Sequence, residues 1–225
     1  SFAIAQNMRG DIAGLGAVKT ALANGEAFVN VAVEAGQSIA DMLTEMKAKV
    51  VQANQAGLDS TSRSALNNDF TALRDQIETI VATAEFNGTN LIDASATSTS
   101  VLSTVDGSTI AVSAQKMDST TLGISTSSLT SSANAASALT AIDSAISSVS
   151  DKLAALGSVS KRIEVQSSFT TKLSDILKSG VGTLVDADLA EESAKLQALQ
   201  IKQQLGVQAL SIANQSPQTI LGLFR

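Results

Sequence analysis

Two runs of apolar residues, spaced alternately three and four positions apart, constrain this chain more than any other feature of its sequence. They comprise Leu66, Phe70, Leu73, Ile77, Ile80 and Ala84, and Leu139, Ile142, Ile146, Val149, Leu153 and Leu156. This spacing places every apolar side chain of a run on one face of an α-helix, as in a coiled coil. The second run predicts a helix of about 40 residues, which is about 60 Å long at 1.5 Å per residue.

The amino-terminal residues predict a third long helix. Apolar residues recur at helical spacing on both sides of residues 24–33, at Ala5, Met8, Ile12, Leu15, Leu22, Ile39, Leu43, Met46 and Val50. Between them, Asn24-Gly25 is a turn signal and the β-branched residues 28–33 would fit a strand. Because the helical period resumes afterwards, we predict that the helix continues through this segment.

The first apolar run is expected to return antiparallel against the amino-terminal helix, which buries both apolar faces. Gly57 stops the preceding helix, and Asp59 or Ser60 is the predicted cap of the next one. Asn87-Gly88 supplies the left-handed turn at which that helix ends. The polar residues between the apolar positions are predicted to face away from the partner helix, namely Asn67, Asp69, Arg74, Asp75 and Glu78.

Residues 93–133 are rich in Ser, Thr and Gly and predict a β-hairpin. Asp106-Gly107 is a strong turn signal. Apolar or small residues alternate on both sides of it, at Val101, Ser103 and Val105 and at Ile110, Val112 and Ala114. One face of the hairpin is therefore expected to lie on the helices.

The carboxyl-terminal segment from Leu184 predicts a separate helix with unsatisfied apolar surface. Residues 179–183 contain two glycines and are expected to break the preceding helix. Asp186 and Asp188 are the predicted helix-start residues. Ala198, Ile201, Leu205, Ala209 and Ile212 form one stripe, and Leu196, Leu199, Val207 and Leu210 lie off it. A helix that is apolar on more than one face, followed by an apolar chain end, predicts burial by other molecules.

The residues chosen as contacts with other molecules are all large and apolar and lie in this segment. They are Leu196, Leu199, Ile201, Leu205, Leu210, Ile212, Leu221, Leu223 and Phe224.

Composition excludes several classes of function. The net charge is −6, which argues against nucleic acid or an anionic membrane surface as a partner. Cys and His are absent, so thiolate, imidazole and zinc chemistry cannot occur. The carboxylate pairs Asp186/Asp188 and Glu191/Glu192 are interpreted as helix-capping groups. We predict no catalytic activity, no cofactor and no membrane insertion.

Several motifs together resemble bacterial flagellins. The carboxyl-terminal segment carries Val185-Asp186-Ala187-Asp188 before a Gln-rich helix, then Ala213-Asn214-Gln215-x-Pro217-Gln218, and ends in Leu-x-Leu-Phe-Arg. Phe86-Asn-Gly and the segment Met117–Gly123 after the hairpin are also similar to that family. The resemblance covers the whole chain, which lacks the large outer domains of many flagellins.

The resemblance implies a subunit that polymerises into the extracellular flagellar filament. It also implies secretion by the flagellar export apparatus, an export chaperone at the carboxyl-terminal end, and contacts with hook-associated and cap proteins. Since the sequence starts at Ser1 within a helical pattern, we expect an amino-terminal segment to precede it. Two alternatives are a hook–filament junction protein and a surface adhesin that binds polysaccharide.

The expected fold is mainly α: an elongated antiparallel coiled-coil rod with a small β-hairpin region and a carboxyl-terminal helix. We divide it into residues 1–93, the amino-terminal outer-core helices, and residues 94–133, the hairpin and Ser/Thr-rich loops. Residues 134–179 form the carboxyl-terminal outer-core helix, and residues 180–225 form a hinge and the inner-core helix. The monomer is expected to be disordered at its end and to fold there on association.

Overall fold

The computed structural model describes residues 2–224 and confirms the mainly helical fold class. The elements in chain order are α1 (Phe2–Ala53), α2 (Ser60–Thr83), β1 (Glu85–Phe86), β2 (Thr89–Asn90), β3 (Thr99–Leu102), β4 (Thr109–Val112) and α3 (Ser132–Leu223). Contacts group the chain into two compact units. The larger unit is Gly14–Lys172, and the terminal unit combines α1 up to Ala13 with α3 from Leu173 onward.

In the larger unit, α1 and α3 run antiparallel. The side-chain amide of Asn54 donates to the carbonyl oxygen of Ala135 at 3.0 Å. Further along, Lys47 Nζ lies 2.7 Å from Asp143 Oδ1. Residue numbers fall along α1 as they rise along α3, which is the antiparallel order. The helix α1 also passes through Asn24-Gly25 without interruption, as predicted.

Helix α2 returns against α1, as predicted. Arg63 Nη1 donates to the carbonyl oxygen of Ala53 at 3.0 Å, and Lys49 Nζ lies 3.2 Å from Asp69 Oδ2. Both apolar runs face the core of the larger unit. Their buried members are Phe70, Ile77, Ala84, Ile142, Val149 and Leu156, and their half-buried members are Leu66, Leu73, Ile80, Leu139, Ile146 and Leu153.

The start of α2 is capped by Asp59, one of the two predicted caps. Its Oδ1 accepts a hydrogen bond from the backbone N–H of Ser62 at 2.8 Å. This bond satisfies one of the amide donors that the first turn of a helix leaves unpaired.

Three polar side chains of α2 do not face away from the fold, and that prediction is wrong for them. Asn67 Oδ1 accepts from the N–H of Leu129 at 2.9 Å, and Glu78 Oε1 accepts from the N–H of Ser119 at 2.6 Å. Arg74 Nη1 donates to the carbonyl oxygen of Ser127 at 2.8 Å. A loop has few backbone partners of its own, so α2 side chains bind the loop that leads into α3.

The predicted hairpin is present, but Val105 and Ala114 lie outside its strands, and Val105 is exposed rather than packed on the helices. Strands β3 and β4 pair antiparallel from Thr99 opposite Val112 to Leu102 opposite Thr109. Val101, Ile110 and Val112 face inward and are buried. The loop beyond Leu102 is closed by a hydrogen bond from the N–H of Ser103 to the carbonyl oxygen of Ser108 at 2.8 Å.

A second, smaller hairpin was missed by the sequence interpretation. Strands β1 and β2 flank Asn87 and Gly88, whose φ angles are 51° and 79°. The predicted left-handed turn is confirmed, but it joins two strands rather than only ending a helix. Two positive φ angles in a two-residue loop match the twist of a tight hairpin.

Helix α3 continues through residues 179–183, so the predicted break is wrong. No proline interrupts this segment, and a glycine in a helix costs only about 1 kcal/mol. A Cβ atom at Gly180 would lie 2.8 Å from Cε of Met8, so the glycine allows close packing within the terminal unit. Asp186 and Asp188 consequently lie inside the helix and do not start it. The four-part division of the chain stays a prediction.

Candidate functional site

Side chains of α3 become exposed without exception from Leu189 onward. Earlier in the terminal unit, Ala5 and Ser174 are buried, and Val181 and Leu184 are half-buried. From Leu189 to Phe224, every residue is exposed. We call this stretch the tail helix. Ten turns of helix without a packed face are unusual, because most helical stability in proteins comes from burying an apolar face.

All nine residues that the sequence predicted as contact residues lie on the tail helix and are exposed. Their exposed fractions extend from 57% at Leu196 to 84% at Phe224. The structure therefore leaves these side chains accessible, and their role as contacts stays a prediction.

Three further large apolar residues of the tail helix are equally accessible and were not selected from the sequence. They are Leu189, Val207 and Ile220. Leu189 precedes Leu196 by seven residues, which is two helical turns, so spacing could have identified it. It was missed because a helix start was expected at Asp186 and Asp188, which would have placed Leu189 in a first turn.

Apart from Ile220 and Phe224, the large apolar side chains of the tail helix form two stripes on roughly opposite sides, at 3.6 residues per turn. The first stripe contains Leu189, Leu196, Leu199, Val207, Leu210 and Leu221. The second stripe contains Ile201, Leu205, Ile212 and Leu223. One partner helix covers only one of these stripes, so complete burial needs partners on two sides.

One of the two faces between the stripes is polar but uncharged. Gln200, Gln204 and Gln208 lie on it, at steps of four residues, along an open groove. No charged side chain occurs between Gln203 and Phe224. Copies of such a helix can approach one another without the repulsion between like charges that a charged surface would bring.

The described part of the chain offers little for catalysis. Among residues 2–224, no cluster of three or more acidic side chains is placed to hold a metal ion. Glu191 pairs with Lys195 at 3.5 Å across one helical turn, and both side chains are exposed. Within the same residues, no helix has the length and apolarity needed to cross a membrane.

Comparison with known proteins gives family matches at both ends of the chain. Residues 1–97 match the family model of the bacterial flagellin N-terminal helical region, and residues 139–224 match that of the bacterial flagellin C-terminal helical region. The chain is 46% identical over 225 residues to flagellin FljK of Caulobacter vibrioides. That similarity covers 100% of this chain and 82% of the relative.

Two solved structures share the fold. The crystal structure of Bacillus cereus flagellin matches with a TM-score of 0.60 and 24% identity, over 65% of this chain and 86% of that one. A protein of Vibrio parahaemolyticus described as flagellar hook-associated matches with a TM-score of 0.65 and 14% identity, over 80% of this chain and 96% of that one. At these identities the likeness shows the fold alone. It therefore does not favour the alternative that this chain is a hook–filament junction protein.

Proposed function

This chain belongs to the bacterial flagellin family and is a structural subunit of the extracellular flagellar filament, and we propose that its tail helix is the main polymerisation surface. The observation that carries the proposal is the exposure of every side chain from Leu189 to Phe224. In a helix with two apolar stripes, this exposure leaves a large apolar surface in water.

The energy of burial favours association. Complete burial of one Leu or Ile side chain contributes about 1.5–3 kcal/mol. The described chain offers no internal partner for the nine predicted contact residues, so only other molecules can supply this stabilisation. Part of it offsets the entropy lost when the subunits associate.

The opposed stripes favour a polymer over a closed pair. In a two-helix dimer, each tail helix would bury one stripe and leave the other in water. A subunit that contacts neighbours on both sides buries both stripes. Repeated contacts between different surfaces generate an open helical filament when the rotation does not close a ring.

The same reasoning predicts weak structure in the free subunit. The tail helix has only its intrinsic propensity and hydrogen bonds to oppose the entropy of the open chain, since no tertiary contact covers it. We therefore expect it to open locally in the monomer and to become rigid in the filament. Hydrogen exchange on monomer and filament measures this difference directly.

Substitution of each stripe tests the polymerisation surface. Leu199→Gln/Leu210→Gln changes the first stripe, and Ile201→Gln/Leu205→Gln changes the second. We expect each pair to raise the critical concentration for filament growth at least tenfold, because about 1.4 kcal/mol of lost burial suffices for that factor. Pelleting by ultracentrifugation and negative-stain microscopy of the full-length protein give the readout.

The matched control changes the polar face of the same helix. Gln204→Ser/Gln208→Ser keeps both stripes and should polymerise almost as well as the unchanged protein. Deletion of residues 184–225 should leave a soluble protein that forms no filaments. Normal filaments from the deletion, or from both stripe variants, would refute the proposed surface.

We also propose that the tail helix is protected inside the cell before the subunit is secreted. An exposed apolar surface of this length invites premature association, which a chaperone bound to the same stripes prevents. Secretion by the flagellar export apparatus would then require an unfolded chain. The stripe variants should bind the export chaperone at least tenfold more weakly than the polar-face control in calorimetric titration.

Contacts at the filament ends belong to the same proposal. Hook-associated and cap proteins would meet a subunit whose stripes lack a neighbour on one side. The stripe variants should therefore bind them less well than the polar-face control in pull-down assays. Equal binding by all variants would place these contacts elsewhere on the subunit.

A further inference from the structure

A second accessible apolar surface lies in the larger unit, beside the β3–β4 hairpin. Two shallow cavities, of about 390 and 350 Å³, share Lys161 and Val165 on the outer face of α3. Ile110 of β4 lines the first cavity, and Phe169 lines the second. Ile110 itself is buried, so we call the surface formed by Lys161, Arg162, Val165, Phe169 and Lys172 the basic groove.

The basic groove combines apolar side chains with positive charge. Val165 and Phe169 are 57% and 55% exposed and lie one helical turn apart. Three cations border them, against one carboxylate, that of Glu164, which lies 3.9 Å from Lys161 Nζ. Among residues 2–224, no carboxylate lies within ion-pair distance of Arg162. The groove therefore suits an apolar segment that carries negative charge.

One accessible segment of this chain has that composition. Residues 186–196 hold the carboxylates of Asp186, Asp188, Glu191 and Glu192 and a single cation, Lys195. Leu189 and Leu196 are 62% and 57% exposed. Leu189, Glu192 and Leu196 share one helical face, because their spacings are three and four residues. We call residues 186–196 the acidic segment.

The acidic segment cannot enter the groove of its own chain while α3 is intact. Both surfaces lie on this helix, which is uninterrupted from Ser132 to Leu223. An α-helix does not pack against its own later turns, so we infer that the complementary segment comes from another copy. Because the groove and the acidic segment are different surfaces, each copy donates one and receives the other, and the contact propagates along a filament when the rotation between subunits does not close a ring.

We propose that the basic groove of one subunit binds the acidic segment of a neighbouring subunit, as a contact that sets how adjacent subunits are joined. The inference rests on the proposed polymerisation of the chain and assigns a specific pair of surfaces to it. Apolar packing of Leu189 and Leu196 on Val165 and Phe169 supplies affinity. The opposite charges select one alignment of the acidic segment along the groove, because other alignments would bring like charges together.

Engineered cysteines test the contact directly. The chain has no cysteine, so Ser168→Cys/Ser193→Cys introduces the only two thiols. Within one chain they lie about seven helical turns apart, which no disulfide can bridge. We expect mild oxidation of filaments from the full-length protein to produce a ladder of covalent oligomers on non-reducing gels.

The matched control is Ser168→Cys/Ser211→Cys, which places the second thiol on an uncharged part of the tail helix. It should give at least tenfold less crosslinked product. Filaments that form normally but show no Ser168–Ser193 ladder, or an equal ladder from the control, overturn the assignment of the groove. Neither of these crosslinking results contradicts the proposed polymerisation through the tail helix. That proposal fails only if the tail-helix variants polymerise normally.

Charge reversal provides an independent measurement. Lys161→Glu/Arg162→Glu should lower the filament yield at low salt about tenfold, and Glu191→Lys/Glu192→Lys should do the same. Combining all four substitutions should restore most of the yield, whereas Lys178→Glu, elsewhere on α3, should change it less than twofold. A combined variant that polymerises no better than either pair contradicts the proposed contact.

Discussion

Val101 of strand β3 packs onto Gly25 of helix α1 so closely that a Cβ atom on the glycine would lie 2.6 Å from a γ-carbon of the valine. Gly25 is buried near the middle of a helix of 52 residues. Its role is therefore close approach of the hairpin, and not the turn that Asn24-Gly25 signals in isolation. The sheet can lie on the helix only where the helix has no side chain.

Gly25→Ala is expected to destabilise the protein by about 1–3 kcal/mol, since an added methyl group in a packed site forces neighbours to shift. Alanine favours a helix over glycine by up to about 1 kcal/mol, so this gain offsets only part of the loss. Urea denaturation of the full chain, followed by circular dichroism, measures the change in free energy of unfolding.

Two further variants test whether the effect of Gly25→Ala comes from the contact with Val101. Gly16→Ala lies in open space on the same helix and should stabilise the protein slightly. Val101→Ala should remove the clash, so the double variant should be less destabilised than the sum of the two single changes. If Gly25→Ala is as stable as Gly16→Ala, the close approach of Val101 to Gly25 does not contribute to the free energy of unfolding.

The apolar spacing was sufficient to predict where the helices lie and which faces they bury. Phe70, Ile77 and Ile142 are fully buried on the predicted faces, and α1 continues through Asn24-Gly25. This information is local, because a helical period is written in one stretch of sequence. The apolar positions of the tail helix follow from the same local spacing, and their role as contacts stays a prediction.

Contacts between distant segments could not be predicted from spacing. Asn67, Arg74 and Glu78 bind a loop that lies some 40 to 60 residues later in the chain. A polar residue on a helix carries the same sequence signal whether it faces water or a returning loop. The continuity of α3 was also missed. Gly180 lies inside the helix and leaves room for the side chain of Met8, but a glycine in the sequence equally indicates the end of a helix.

Asp59 is expected to make the stability of the folded protein depend on pH in the acid range. Hydrogen bonds from Ser62, first from its side chain and then from its backbone N–H, hold the pKa of the Asp59 carboxyl below its ordinary value of 3.8. A lowered pKa in the folded state means that the cap stabilises α2 above the unfolded pKa and loses this effect as the pH falls through the folded pKa.

Asp59→Asn separates the charge from the cap. Asparagine keeps an acceptor for the N–H of Ser62 but does not titrate. We expect the unchanged protein to be the more stable at a pH above 3.8, the ordinary pKa of Asp59, and to lose this advantage as the pH falls through the lowered pKa of the folded state. Urea midpoints measured across this range should therefore converge in acid. Ser62→Ala should weaken the same pH dependence, and parallel profiles for all three proteins would contradict this role of Asp59.

Pro217 weakens the tail helix near its end. Proline lacks the N–H that would donate to the carbonyl oxygen of Ala213, and its ring crowds that carbonyl, at a cost of about 3 kcal/mol in a helix interior. Because no side chain packs against residues 189–224, tertiary contacts cannot mask this effect. Pro217→Ala should therefore slow hydrogen exchange of residues 213–224 in the monomer at least tenfold. Ser216→Ala, one residue earlier, keeps the proline and should change the exchange rates less than threefold; equal slowing by both variants would show that the proline does not limit the helix.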